Sequence, residues 1–370
     1  MKIVKLETFT KPYVSFVKIT VEDGSIGYGQ MSTYHADITT QIFHKQVAPW
    51  VLGKEYFDFD DLEDFIFERE HKFPGSYLLR AIAGLDTALW DLKGKIEGKP
   101  VVSLIGGSPG NLRIYGSSMK RDITPNDEAN RFKKLFDEKG VNAFKFRVGS
   151  ECGRGVDEWE GRTPSIVKTI NSTLDKSVTK MVDANSCYSS VQAIEIGKLL
   201  EDNDVTHFEE PCPYWKPEET KKVTDSLNID VTGGEQDCDL STWKRIIDMK
   251  AVNIVQPDIL YLGGVERTMR VVRMAHSAGL PVTPHCANLS LVTLFTMHLL
   301  NAIPNAGKYL EFSIEGTDYY PWQQNLFLGD PFKISNGMVK IEDTPGWGVD
   351  INPHWLNKSE YKKSEIKNND

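Results

Sequence analysis

Two hydrophobic rhythms divide the chain. Over residues 2–8 and 13–21, Val, Ile, Phe and Thr fall at the spacing of two of a strand, and Asp23-Gly24 supplies a hairpin turn before "IGYG". This predicts a small antiparallel meander. From Tyr77 to about Lys93 the period lengthens: Leu78, Leu79, Ile82, Leu85, Ala88, Leu89 and Leu92 recur at helical spacing, and "GKIEGKP" ends the run with glycines and Pro100. Strands followed by helix, without alternation, predict an α+β capping domain over residues 1–110.

From about residue 111 short apolar segments alternate with amphipathic ones, the pattern of βα units in a parallel sheet. The segments "AFKFRVG", "TKMVDAN", "VTHFEEP", "IDVTGGE", "AVNIVQPD", "LPVTPH" and "KYLEF" each end in a polar or charged group. Asp183, Glu209, Glu235, Asp258, His285 and Glu311 follow one another at intervals of 26, 26, 23, 27 and 26 residues. That interval fits one strand, one helix and two loops. With "LRIYGSS" as the opening strand there are eight units, the number that closes a (β/α)8 barrel, here over residues 111–320. The interval from Lys145 to Asp183 is longer, 38 residues, and the excess lies in the polar, Gly-rich stretch "GSECGRGVDEWEGRT". Residues 321–370 read as a C-terminal segment that packs back on the cap, with "NKSEYKKSEIKNND" as a disordered tail.

A length of 370 residues suits this division into one large and one smaller domain. The formal net charge of −9 disfavours a nucleic-acid or anionic-membrane partner and leaves a small molecule as the expected one. Five cysteines without a CxxC pair indicate neither a disulfide framework nor a zinc site, so a cytoplasmic protein is expected. The start "MKIVKLETFT" lacks a signal-peptide core, and no apolar run reaches the ~18 residues of a membrane span.

In a barrel of this kind the carboxyl ends of the strands share one mouth, which makes Asp183, Glu209 and Glu235 neighbours on its rim. Taken singly, each is as well explained as a helix cap or a surface charge. Their regular spacing is what distinguishes them. Three adjacent carboxylates repel unless a cation neutralises them, and all-oxygen ligation favours a hard divalent ion such as Mg²⁺. Asp258 alone would read as a helix N-cap before "ILYLGG", and His285 alone as a structural histidine; together they suggest an Asp-His dyad. Strand alternation puts Lys145 and Arg147 on one face and sends Glu210 to the face opposite Glu209, where it would pair a barrel Lys or Arg.

The ordered set "KFR" at 145–147, "DAN" at 183–185, "EEP" at 209–211, "GGE" at 233–235, "QPD" at 256–258, "PH" at 284–285 and "LEF" at 310–312 resembles the enolase superfamily, mandelate racemase subgroup. The similarity extends over nearly the whole chain, including "AIAGLDTALWDLKGKIEGKP" in the cap and "PGWGVDI" near the end. The resemblance implies a modified, enolase-like barrel with Mg²⁺ held by Asp183, Glu209 and Glu235. It further implies a substrate carboxylate on that ion, abstraction of the proton from the adjacent carbon, His285 and Asp258 as the catalytic dyad, Glu311 and Asn185 as substrate contacts, and a homo-oligomer, dimer or octamer.

One departure lies at Arg147, where racemases of the subgroup carry a second lysine as base. Arginine holds its proton too tightly to exchange it readily, which disfavours two-base racemisation. Loss of water from a sugar acid, giving a 2-keto-3-deoxy acid, needs one main base and survives the change, with Lys145 as a carboxylate ligand or second acid-base group. Epimerisation or cycloisomerisation of a sugar acid, with Lys145 as second proton carrier, is the alternative. A barrel kept only for binding would have lost a ligand or the dyad, and none is missing. The short segment "TFTKPYVSF" leaves the site lightly covered, and Tyr34, His35 and Arg154 are the loop residues expected to reach a polyhydroxy substrate.

Overall fold

The computed structural model describes residues 1–55 and 61–366. The predicted meander is β1 (Ile3–Lys11), β2 (Val14–Val21) and β3 (Ile26–Gln30), antiparallel in that order. Gly24 takes a φ of 87° in the turn, where Ser25 N–H donates to the Asp23 carboxylate. The helix Ser76–Glu97 lies on β3. A Cβ on Gly29 would stand 2.4 Å from the helix backbone at Gly84 and Ala88, so the glycines of "IGYG" set how closely the two approach. Leu78, Leu79, Ile82, Leu85 and Leu92 of this helix bury against Leu6, Val17 and Ile19, a core separate from that of the barrel.

The barrel strands are β4 (Asn111–Ser117), β5 (Ala143–Arg147), β6 (Thr179–Asp183), β7 (Val205–Glu209), β8 (Asp230–Gly233), β9 (Ile254–Val255) and β10 (Leu310–Ser313). Each pairs in parallel with the next up to β9, and β10 pairs back onto β4 with Glu311 opposite Tyr115. The expected seventh strand, "LPVTPH", forms only isolated bridges, Val282 to Val255 on one side and to Ala306 on the other. Pro281 and Pro284 remove two ladder donors there, yet Thr283 and His285 still donate to Val255 and Pro257 and hold the seventh position in the ring.

Beyond the barrel, β11 (Met338–Lys340) pairs antiparallel with β4, and Trp347 ties the chain to the cap helix through Asp91 and Thr87. The tail expected to be disordered instead forms β12 (Glu360–Glu365), antiparallel to β1 with Thr10 opposite Glu360 and Lys5 opposite Glu365. Its charged side chains disguise it. An edge strand is held by backbone hydrogen bonds and needs little apolar surface, here Tyr361 against Phe9 at 5.4 Å. His44 Nδ1 also bonds Ser364 at 2.8 Å. The last four residues of that tail lie outside the described residues. Among the described residues no helix is long and apolar enough to cross a membrane.

Candidate active site

Asp183 and Glu209 are the last residues of β6 and β7 and stand opposite each other in register. Glu235 comes two residues after β8, across a turn in which Gly234 has a φ of 112°. A Cβ on Gly234 would lie 2.2 Å from the buried Trp243 ring, so glycine is required on both counts. The three carboxylates are buried and offer oxygens within 4.8 Å of one another. Burial raises the pKa of Glu235, with Glu209 reinforcing the shift. A hard divalent cation fits this all-oxygen donor set and would relieve the repulsion among three buried charges.

Cationic and amide groups surround the triad. Lys145 Nζ is 2.7 Å from Glu209 and 2.7 Å from Glu311, and Arg147 pairs with Asp183. Gln256 donates to the second oxygen of Glu209 at 2.8 Å. Burial opposes the Lys145 charge, but Glu209 and Glu311 outweigh it and its pKa is raised. Glu311 is further fixed by Ser117 Oγ at 2.8 Å and the Cys286 N–H at 2.9 Å.

Asp258 plays both parts considered for it. One oxygen accepts from the Leu260 and Tyr261 N–H groups, capping the short helix Ile259–Leu262, and the other binds His285 Nδ1 at 2.7 Å. His285 Nε2 then faces the triad, 3.4 Å from Glu235. Burial lowers the imidazole pKa, but Glu235, Asp258 and Glu311 together push it up to about 10. A cation on Glu235 would remove part of that push. In ring order Lys145 and His285 flank the triad on its two sides.

Above these groups lies a cavity of about 500 Å³, bounded by Arg147, Asn185, Glu235 and His285 below and by cap and loop residues above. Tyr34 and His35 line it as expected, both in left-handed backbone conformation. Arg154 does not: it is exposed, at a φ of 52°, and the insertion that carries it contributes Glu151 and Cys152 instead. Glu210 also departs from expectation. Its φ of 39° breaks the strand alternation and turns it into the cavity wall, where it pairs no Lys or Arg among the described residues. Burial raises its pKa well above the ordinary carboxylate value, and Glu235 and Glu209 reinforce the shift. The sequence reading missed Arg80, Arg121, Tyr261, Tyr319 and Tyr320 in the lining. Arg80 stacks on Tyr261 at 3.5 Å, and Tyr261 in turn contacts the His285 ring at 5.9 Å. "MKRDIT" follows the first barrel strand and so marks Arg121 as a rim residue, the one signal that could have found it.

Known proteins resemble the chain over nearly its whole length. The family model described as enolase C-terminal domain-like matches residues 127–355, and that of the mandelate racemase/muconate lactonizing enzyme N-terminal domain matches residues 3–106. The chain is 27% identical to an arabinonate dehydratase of Saccharolobus solfataricus, covering 90% of this chain and 87% of that one. A crystal structure from Roseobacter denitrificans, described as a candidate racemase, is 63% identical and superposes with a TM-score of 0.97 over 99% of this chain and all of that one. A mandelate racemase/muconate lactonizing protein from Paracoccus denitrificans, solved with magnesium, is 27% identical with a TM-score of 0.87 over 99% and 98% of the two chains.

Proposed function

Because the chain belongs to the mandelate racemase/muconate lactonizing enzyme family, with its enolase-like C-terminal domain, we propose that it is an acid-sugar dehydratase. The observation that carries the reading is the His285–Asp258 dyad, whose free Nε2 faces the acid triad. The dehydratase named among the relatives of the chain supports it from outside.

Asp183, Glu209 and Glu235 would hold Mg²⁺, which when bound supplies positive charge to the substrate carboxylate and acidifies the adjacent carbon. The protein groups do the rest. Glu311, fixed by Ser117 and Cys286, and Lys145 orient the carboxylate end. Asp258 keeps the His285 proton on Nδ1, leaving Nε2 to take the α-proton. The imidazolium so formed then gives its proton to the β-hydroxyl, which departs as water. The remaining enol tautomerises to a 2-keto-3-deoxy acid.

Epimerisation is the second reading, favoured by Lys145 as a proton carrier across the triad from His285 and by the racemase description of the 63% identical neighbour. Against it stands Arg147, a poor proton exchanger. Assaying His285→Asn and Lys145→Ala in D₂O, with NMR of the product, separates the two. Dehydration predicts an α-keto acid product and a loss of ~10²–10⁴-fold in kcat for the histidine variant. A product that keeps all its oxygen, or a histidine variant at nearly full rate beside a dead lysine variant, refutes it.

A further inference from the structure

The wall of the cavity holds more positive charge than the triad uses. Arg121 donates from Nε to the Gly149 carbonyl at 3.0 Å and from Nη2 to Asn185 Oδ1 at 2.8 Å, and Arg147 donates to the same Asn185 oxygen at 2.9 Å. Two guanidinium groups therefore share one neutral acceptor. Arg147 has Asp183 as its counter-ion, whereas Arg121 has no carboxylate within ion-pair distance among the described residues. Behind them Arg162, fully buried, donates to the Arg147 carbonyl at 2.8 Å and leaves Nε and Nη2 without a partner.

Three cations thus converge on the end of β5; Asp183, the acid paired with Arg147, belongs to the metal triad, and Glu151 on the same cavity wall acts on Arg121 only from beyond ion-pair distance. Buried cations repel and are costly without an anion. The segment bearing Arg121 is nonetheless held rigidly: Ser118 accepts from Arg131 at 2.5 Å and donates its N–H to Lys145 O at 2.9 Å, while Met119 N–H is fixed by Glu315 at 2.8 Å. With Nε and one Nη2 hydrogen committed to Gly149 and Asn185, the Nη1–Nη2 end of the Arg121 guanidinium on the cavity wall has donors to spare, and that end matches the planar geometry of a carboxylate. Asn185 links the pieces, since it also donates to both oxygens of Asp183, at 2.7 and 3.2 Å.

We infer that Arg121, with Arg147 and Asn185, forms a second anion site for the far end of the substrate, and that the substrate is a sugar dicarboxylic acid. This deepens the sugar-acid reading of the site and rests on it. Hydroxyl groups alone do not require a cluster of guanidinium groups.

The test uses the full chain loaded with Mg²⁺ and matched pairs of acids that differ only at the terminal carbon, such as galactarate and galactonate and their diastereomers, with the terminal phosphate of each aldonate as a third arm. Calorimetry gives Kd without turnover. The dicarboxylate is expected to bind at least ten times more tightly than its monocarboxylate partner, a ratio that falls to about one in Arg121→Gln and recovers in part in Arg121→Lys. Equal binding by the wild type, tighter binding of the phosphate, or an equal loss for both acids in Arg121→Gln would overturn the inference. Binding discrimination without any water loss would sink the dehydratase reading and leave this site standing. Turnover of aldonates with no preference for aldarates would do the reverse.

Discussion

Replacing Asp258 by asparagine and by alanine separates its two functions. Its Oδ1 satisfies the buried N–H groups of Leu260 and Tyr261 at 2.7 and 3.1 Å, and its Oδ2 accepts from His285 at 2.7 Å. Asparagine caps a helix as well as aspartate does. It turns an NH₂ toward His285, however, so the ring must accept at Nδ1 and carry its proton on Nε2. The hydrogen bond survives with reversed polarity, at a cost of about 1 kcal/mol. The histidine can then no longer take a proton where the triad faces it, and turnover should fall by roughly 10²–10⁴-fold. Alanine also strands two buried amide donors at about 1–3 kcal/mol each, so the alanine variant should lose about 2–6 kcal/mol of stability. Urea unfolding followed by circular dichroism reads the stability difference, and ¹⁵N NMR of the imidazole reads the tautomer without needing a substrate. An asparagine variant with near wild-type turnover, or an alanine variant as stable as the asparagine one, would refute the reasoning.

Glu235→Gln should weaken Mg²⁺ binding by at least the ~10–100-fold that an outer partner of a metal ligand is worth, measured by calorimetry. Because burial and neighbouring acids already raise the pKa of Glu235, the metal-free variant should be no less stable than the metal-free wild type in thermal unfolding. His298 supplies a pH test far from the site. It is buried, its Nδ1 accepts from Val102 N–H at 2.9 Å, and burial pushes its pKa down to about 3. The unfolded chain therefore binds the proton first as pH falls, so this stability is complete above ~6.5 and is lost toward pH 3, at ~1.4 kcal/mol per unit. His298→Gln should flatten that part of the urea-midpoint profile relative to the wild type, and an unchanged slope would exclude the assignment.

The strand-end acids were legible because a barrel repeats one strand, one helix and two loops, which turns convergence in space into a period in sequence. Asp183, Glu209, Glu235, Asp258, His285 and Glu311 all carry that period. Arg80 and Arg121 do not, since one comes from the cap helix and the other from a rim loop, and no interval relates them. Alternation failed at Glu210 because a positive φ interrupts the strand there. It failed for "EYKKSE" because the stability of an edge strand lies in its backbone pairing, to which composition is blind. Arg154 was chosen for its place in the polar insertion, and its loop turns it to solvent.

The pairing of β1 with β12 also has a consequence in time. On the ribosome the two strands are made roughly 350 residues apart, about 20–70 s at common elongation rates. Throughout that interval the outer edge of β1, with Phe9 and the His44 ring beside it, lacks the partner that covers it in the finished molecule. The barrel can assemble while the cap still has an open edge, and that edge is where a nascent chain would add a strand from a neighbour. Nascent copies of this enzyme are therefore exposed to mispairing along that edge of β1 until β12 has been made.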